Sequence, residues 1–137
     1  YFCDSMKKEF YVCDFDAANG TIANKRVFAK AERHGIPDGS IVDADGFLWN
    51  AEFDMTTDRT TGYVVRYDPA GRIDRLIELP TCRPTAVTFG GAALDTLFVV
   101  TSRYRMTDEE LALQPVSGAL FAIDVGTRGL VEPRFTG

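Results

Sequence analysis

Gly35-Ile36-Pro37-Asp38-Gly39, followed by Val42-Asp43-Ala44-Asp45-Gly46-Phe47-Leu48-Trp49, is the stretch whose reading decides the fold. It reads as loop, strand, tight turn, strand. Pro37 fixes its own φ and biases Ile36 toward an extended shape. Gly39 lets the chain bend where a side chain would clash. Asp38 is thereby held on a rigid corner at the mouth of the first strand. Such a corner suits a carboxylate that meets a metal or substrate. An acidic turn residue that caps a neighbouring amide fits the same pattern.

Outward from this stretch, the alternation of apolar and polar residues has period 2, and Gly and Pro recur. Both features argue against a helical protein. Glu9 to Asp16 and Thr21 to Ala29 read as strands around an Asn19-Gly20 hairpin turn. Tyr63 to Asp68 and Arg72 to Leu79 read as strands around Pro69-Ala70-Gly71. Ala86 to Phe89, Leu97 to Ser102 and Gly118 to Asp124 read the same way. Thr107 to Leu111 predicts a short helix capped by Thr107 or Asp108. Pro37 to Leu79 and Pro84 to Leu130 align as repeats, each with a strand ending in Asp (Asp68, Asp124). Tyr1 to Lys30 resembles the latter part of a third unit, with Asp14 or Asp16 at the matching place.

Four short strands per repeat of roughly 40–50 residues describe a propeller blade. The expected fold class is all-β, with residues 1–137 forming about two and a half blades of a propeller. The blades are 1–30 (the end of one), 36–80 and 83–130, with 131–137 an extended tail. A β-sandwich is the rival architecture. Since propellers usually have at least four blades, two and a half leave bare sheet edges. The chain, which opens on Tyr-Phe-Cys inside an apolar run, therefore reads as a piece of a longer protein or a chain that needs a partner.

The 137 residues suffice for one ordinary domain, and 45% apolar content suits a soluble one. No run approaches the ~18 apolar residues of a membrane span. A net charge of −5 without a basic stripe argues against a nucleic-acid partner. Cys3, Cys13 and Cys82 have no C-x-x-C spacing, which argues against a structural zinc site. They read as small buried thiols, although Cys3 and Cys13 could face each other on neighbouring strands. Free thiols favour a reducing compartment, and the expected localisation is cytoplasmic.

With these elements in place, the chain resembles the C-terminal half of the SMP-30/gluconolactonase family, also called regucalcin-like proteins. The resemblance rests on an ordered set of motifs over nearly the whole chain. They are Ile36-Pro37-Asp38-Gly39, Val42 to Trp49, Val65-Arg66-Tyr67-Asp68-Pro69-Ala70-Gly71-Arg72 and Phe89-Gly90-Gly91. Leu94 to Val99, Thr101-Ser102-Arg103, Gln114-Pro115 and Gly118 to Phe121 complete it. It implies a six-bladed β-propeller and a divalent-metal-dependent lactonase acting on sugar lactones. It further implies a metal in the central channel, calcium foremost, with zinc, magnesium or manganese as alternatives. The family's ligands are a Glu of the first blade, an Asn before a glycine in mid-chain, and the Asp of the Pro-Asp-Gly corner.

Only the last of these maps here, as Asp38. The resemblance thus implies Asp38 as metal ligand and as catalytic base toward the attacking water. The other ligands would come from a missing N-terminal half or a partner chain. A propeller that holds calcium or a small ligand without turnover is the alternative, as is a related metal-dependent esterase or phosphotriesterase.

Other residues carry weaker readings. His34, the only histidine, precedes Asp38 by one helical turn's worth of residues, but a loop histidine is preferred over a catalytic pair. Asp43 and Asp45 read as turn formers, and Trp49 as core. Ser40 stands where the family has a larger apolar residue. Glu52 and Asp54 are assigned to an unusually long loop, Asn50 to Gly62, where a second cation site is conceivable. Arg103 falls in a matched motif and could face the channel.

Overall fold

The computed structural model describes residues 1–31, 35–54 and 60–134. His34 therefore lies outside the described residues, as does the middle of the 50–62 loop. Among the described residues, ten strands form three antiparallel sheets in chain order, with one helix besides. The first sheet holds β1 (Phe2–Asp4), β2 (Glu9–Asp16) and β3 (Thr21–Lys30). The second holds β4 (Ile36–Val42), β5 (Leu48–Phe53), β6 (Gly62–Tyr67) and β7 (Ile73–Leu79). The third holds β8 (Pro84–Gly90), β9 (Thr96–Thr101) and β10 (Leu120–Asp124). The helix α1 (Asp108–Leu113) follows β9. Thr107 caps it, and Glu110 completes a capping box by accepting from the Thr107 amide.

Three strand-end aspartates turn the chain in the same way. Asp16, Asp68 and Asp124 each accept a hydrogen bond from the amide two residues on, from Ala18, Ala70 and Gly126. Each of these aspartates stands at the end of a strand and turns the chain. Two apolar clusters lock the sheets together. One joins Phe10, Ala29 and Ala31 of the first sheet and its flank to Leu48, Val65 and Tyr67 of the second. The other packs Trp49, Ala51, Val64 and Leu79 against Val87, Phe89, Leu97 and Val99 of the third. Trp49 is fully buried, as expected, with its ring edge-on to Phe89. Gly71, at φ +81°, lets the β6–β7 turn lie against the first sheet: a Cβ there would sit 2.0 Å from the Phe28 carbonyl oxygen.

Two readings are corrected. Ile36 to Gly39 belongs to β4 and is not a loop leading into it. Pro37 is tolerated because β4 is an edge strand, and a bulge between Pro37 and Ser40 absorbs the glycine. Cys3 and Cys13 are half-buried and do not face each other: Cys3 is paired with Phe10. Only Cys82 is buried, and all three thiols are free.

Candidate functional site

Asp38 sits on the bulge of β4, half-buried, between two sheets. Its neighbour Gly39 packs so closely on β8 that a Cβ would meet the Ala86 Cβ at 2.7 Å. From the other side, Ser5 Oγ donates to the Pro37 carbonyl at 2.8 Å. Asn50, fully buried on β5, grips the bulge from within its own sheet. Its Nδ2 lies 2.7 Å from the Asp38 carbonyl, 3.2 Å from that of Gly39 and 2.8 Å from Ser40 Oγ. The backbone on both sides of the Asp38 side chain is thus clamped, which fixes where its carboxylate points.

That carboxylate forms no ion pair among the described residues. Burial pushes its pKa above the usual carboxylate range, and the Gly39 amide only partly offsets this. It lines a cleft of ≈ 230 Å³ with Phe53, Arg83, Thr85, Ser102, Tyr104 and Arg105. Two aromatic rings and several polar or charged groups converge on it, as at a small-molecule site. A half-buried carboxylate that no described arginine or lysine pairs with fits a hard cation. It fits as one ligand only, since no cluster of three or more His, Cys, Asp or Glu is present among the described residues.

The other candidates fall elsewhere. Asp43 is a turn former and more. One carboxylate oxygen accepts from the Asp45 and Phe47 amides, both at 3.0 Å. The other accepts from Trp49 Nε1 at 2.8 Å and from Arg66 Nε and Nη2 at 2.9 and 2.6 Å. Arg66 also reaches Asp74 at 3.0 Å and lies over the Phe47 ring. Asp45 is exposed and takes a longer contact from Arg66. Ser40 is exposed and serves as an acceptor for Asn50. Arg103 donates from Nε to the Ser117 carbonyl at 2.8 Å and does not line the cleft.

Glu52 is not a loop residue as expected: it lies in β5, paired with Tyr63, and is fully buried. Asp54 follows the end of β5 and is buried too. Tyr67 donates its hydroxyl to Glu52 Oε1 at 2.6 Å, while Oε2 has no partner. Burial pushes the Glu52 carboxyl up to about 6, and the Tyr67 hydrogen bond only partly opposes it. The sign follows. The folded state holds this proton more tightly than the unfolded chain, so stability falls as pH rises from about 4.5 through about 6. The whole penalty is about 2 kcal/mol and is complete above pH ~7. In urea melts, the stability of Glu52→Gln relative to wild type should rise by about that amount between pH 4.5 and 7.5. A difference that does not change with pH would refute the assignment.

The fold and the cleft together define an all-β protein of consecutive antiparallel sheets, with one carboxylate held on an edge strand. Residues 1–103 match the SMP-30/Gluconolactonase/LRE-like region, and the chain belongs to that family. It is 38% identical over its whole length to L-arabinolactonase of Azospirillum brasilense, covering 43% of that protein. Over 93% of its length it is 42% identical to 6-deoxy-6-sulfogluconolactonase of Pseudomonas putida, covering 41% of that protein. Among solved structures it is similar to a calcium-binding protein, regucalcin, of Agrobacterium tumefaciens. The TM-score is 0.86 at 29% identity, over 97% of this chain and 44% of the other. The chain spans less than half the length of the relatives it matches.

Proposed function

We propose that this chain is part of a divalent-metal-dependent lactonase that hydrolyses sugar lactones, with Asp38 as metal ligand and general base. The observation that carries the reading is the clamped, unpaired Asp38 carboxylate facing the cleft. The lactonase names of the relatives and the calcium-binding regucalcin support the substrate class and the metal. Calcium is preferred over zinc, magnesium or manganese because the one donor in hand is oxygen. When bound, the metal would supply Lewis-acid polarisation of the lactone carbonyl. Asp38 would hold it and accept a proton from the attacking water. Phe53 and Tyr104 would shield the ring from bulk solvent.

The three sheets are proposed as consecutive blades of a six-bladed propeller, spanning 1–30, 36–80 and 83–130. The repeated aspartate turns and the likeness to regucalcin support this. Further ligands and blades would come from sequence outside these residues or from a partner chain. Three free thiols suit the cytoplasm. No helix among the described residues is long and apolar enough to cross a membrane.

The test is lactone hydrolysis by the protein that carries this sequence, followed by a pH-stat. Activity should vanish with a chelator and return with added calcium or zinc. Hydrolysis that survives chelation would remove the metal from the reading. Calcium binding without hydrolysis would replace the enzyme by a binding protein.

A further inference from the structure

Arg83 precedes β8 and is 6% exposed. Its Nη1 donates to the Tyr104 carbonyl at 2.6 Å and its Nη2 to that of Arg105 at 3.4 Å. Nε has no partner. A guanidinium has five N–H donors in a planar fork, and these two bonds leave the rest free. No carboxylate pairs with Arg83 among the described residues. A buried cation with no carboxylate partner among them is expensive to keep.

Arg83 lines the same cleft as Asp38. Arg105, exposed, lines it too. The cleft of a chain with net charge −5 therefore carries two guanidinium groups against one carboxylate. Asp38 does not neutralise Arg83, because no ion pair joins the two. A neutral sugar in this cleft would leave the Arg83 charge uncompensated. A substrate with its own anionic group would supply the missing counter-charge, and a guanidinium fork matches oxyanions well.

We infer that Arg83 determines specificity, selecting lactones that carry an anionic substituent: carboxylate, sulfonate or phosphate. The lactone ring faces Asp38 and the anion faces Arg83. This rests on the lactonase reading of the same cleft. The competing role for Arg83 is a strut that only holds the Ser102 to Arg105 segment through its two carbonyl contacts.

The test compares D-glucaro-1,4-lactone, which bears a carboxylate, with neutral D-galactono-1,4-lactone, on the protein that carries this sequence. Wild type should prefer the anionic lactone. Arg83→Met should lower kcat/KM for the anionic lactone about 10- to 100-fold more than for the neutral one. Arg83→Lys, which keeps the charge, should restore part of the preference. Equal losses on both lactones, or no preference in wild type, would overturn the inference and leave a strut.

Calorimetry with D-glucarate gives a readout apart from turnover. Binding by wild type that Arg83→Met loses, in protein with no lactone hydrolysis, would sink the lactonase reading and keep the anion site. Hydrolysis without glucarate binding would do the reverse. Absence of both would remove both.

Discussion

Asp38→Ala is expected to abolish metal-dependent lactone hydrolysis in the protein that carries this sequence, by at least about 1,000-fold. Lewis-acid stabilisation of the developing charge is worth several kcal/mol, and about 4 kcal/mol corresponds to that factor. The variant loses a ligand oxygen and a proton acceptor in one change. Folding should not suffer with it. Asp38 is half-buried without an ion pair, and burial already disfavours its charge. Removing it should leave the denaturation midpoint unchanged or raise it, the usual signature of a group kept for function. The opposite pair of results, a lower midpoint with full activity, would return Asp38 to the turn residue that its Pro-Asp-Gly setting also allows. Asp38→Asn keeps the shape with a neutral oxygen, so calcium affinity should fall in it too, read by calorimetry.

The strand pattern was legible because turn chemistry punctuates it. Asn19-Gly20, Asp45-Gly46 and Pro69-Ala70-Gly71 all turn the chain where expected. The Pro-Asp-Gly stretch misled in one respect. Pro and Gly signal a loop, yet an edge strand needs no amide from Pro37 on its open side, and a bulge accommodates Gly39. The resemblance points to Asp38 as a candidate site residue, whereas nothing in the sequence points to its clamp. Asn50 stands in an ordinary strand, and only the fold brings its amide to the Asp38 carbonyl.

Glu52 reads as loop because a polar stretch with four threonines, Asp54 to Gly62, follows after Phe53. Its alternation with Leu48 and Asn50, all on one face, was the available signal. Arg83, between a cysteine and a proline, gave no signal. Arg66 gave one that went unused: a single charge inside Val64-Val65-Arg66-Tyr67 implies a buried partner. That partner is far away in sequence, at Asp43, and looked like one of many turn aspartates.

Asp43→Ala is expected to cost about 3–5 kcal/mol of stability, the range for removing one partner of a buried ion pair. Asp43 is fully buried and accepts five hydrogen bonds through two oxygens. Alanine leaves Trp49 Nε1 without an acceptor inside the core, frees the Asp45 and Phe47 amides of the turn, and strips Arg66 of its shortest contact. Asp74 remains as a partner for Arg66, which places the loss nearer the lower end of the range. Asp43→Asn keeps one acceptor for the turn amides and should lose less. Urea midpoints with unchanged m-values would measure both.

A loss this large is a substantial fraction of the ~5–15 kcal/mol that holds a typical domain together. Yet Asp43 lies at the far end of β4 from Asp38, about 17 Å along an extended strand. Activity per folded molecule, assayed at low temperature, should therefore be near that of wild type. Stability loss below ~1 kcal/mol would show that Arg66 is satisfied without Asp43. A fall in specific activity of the folded fraction would show instead that the turn at Asp43 transmits its geometry down β4 to the Asp38 bulge.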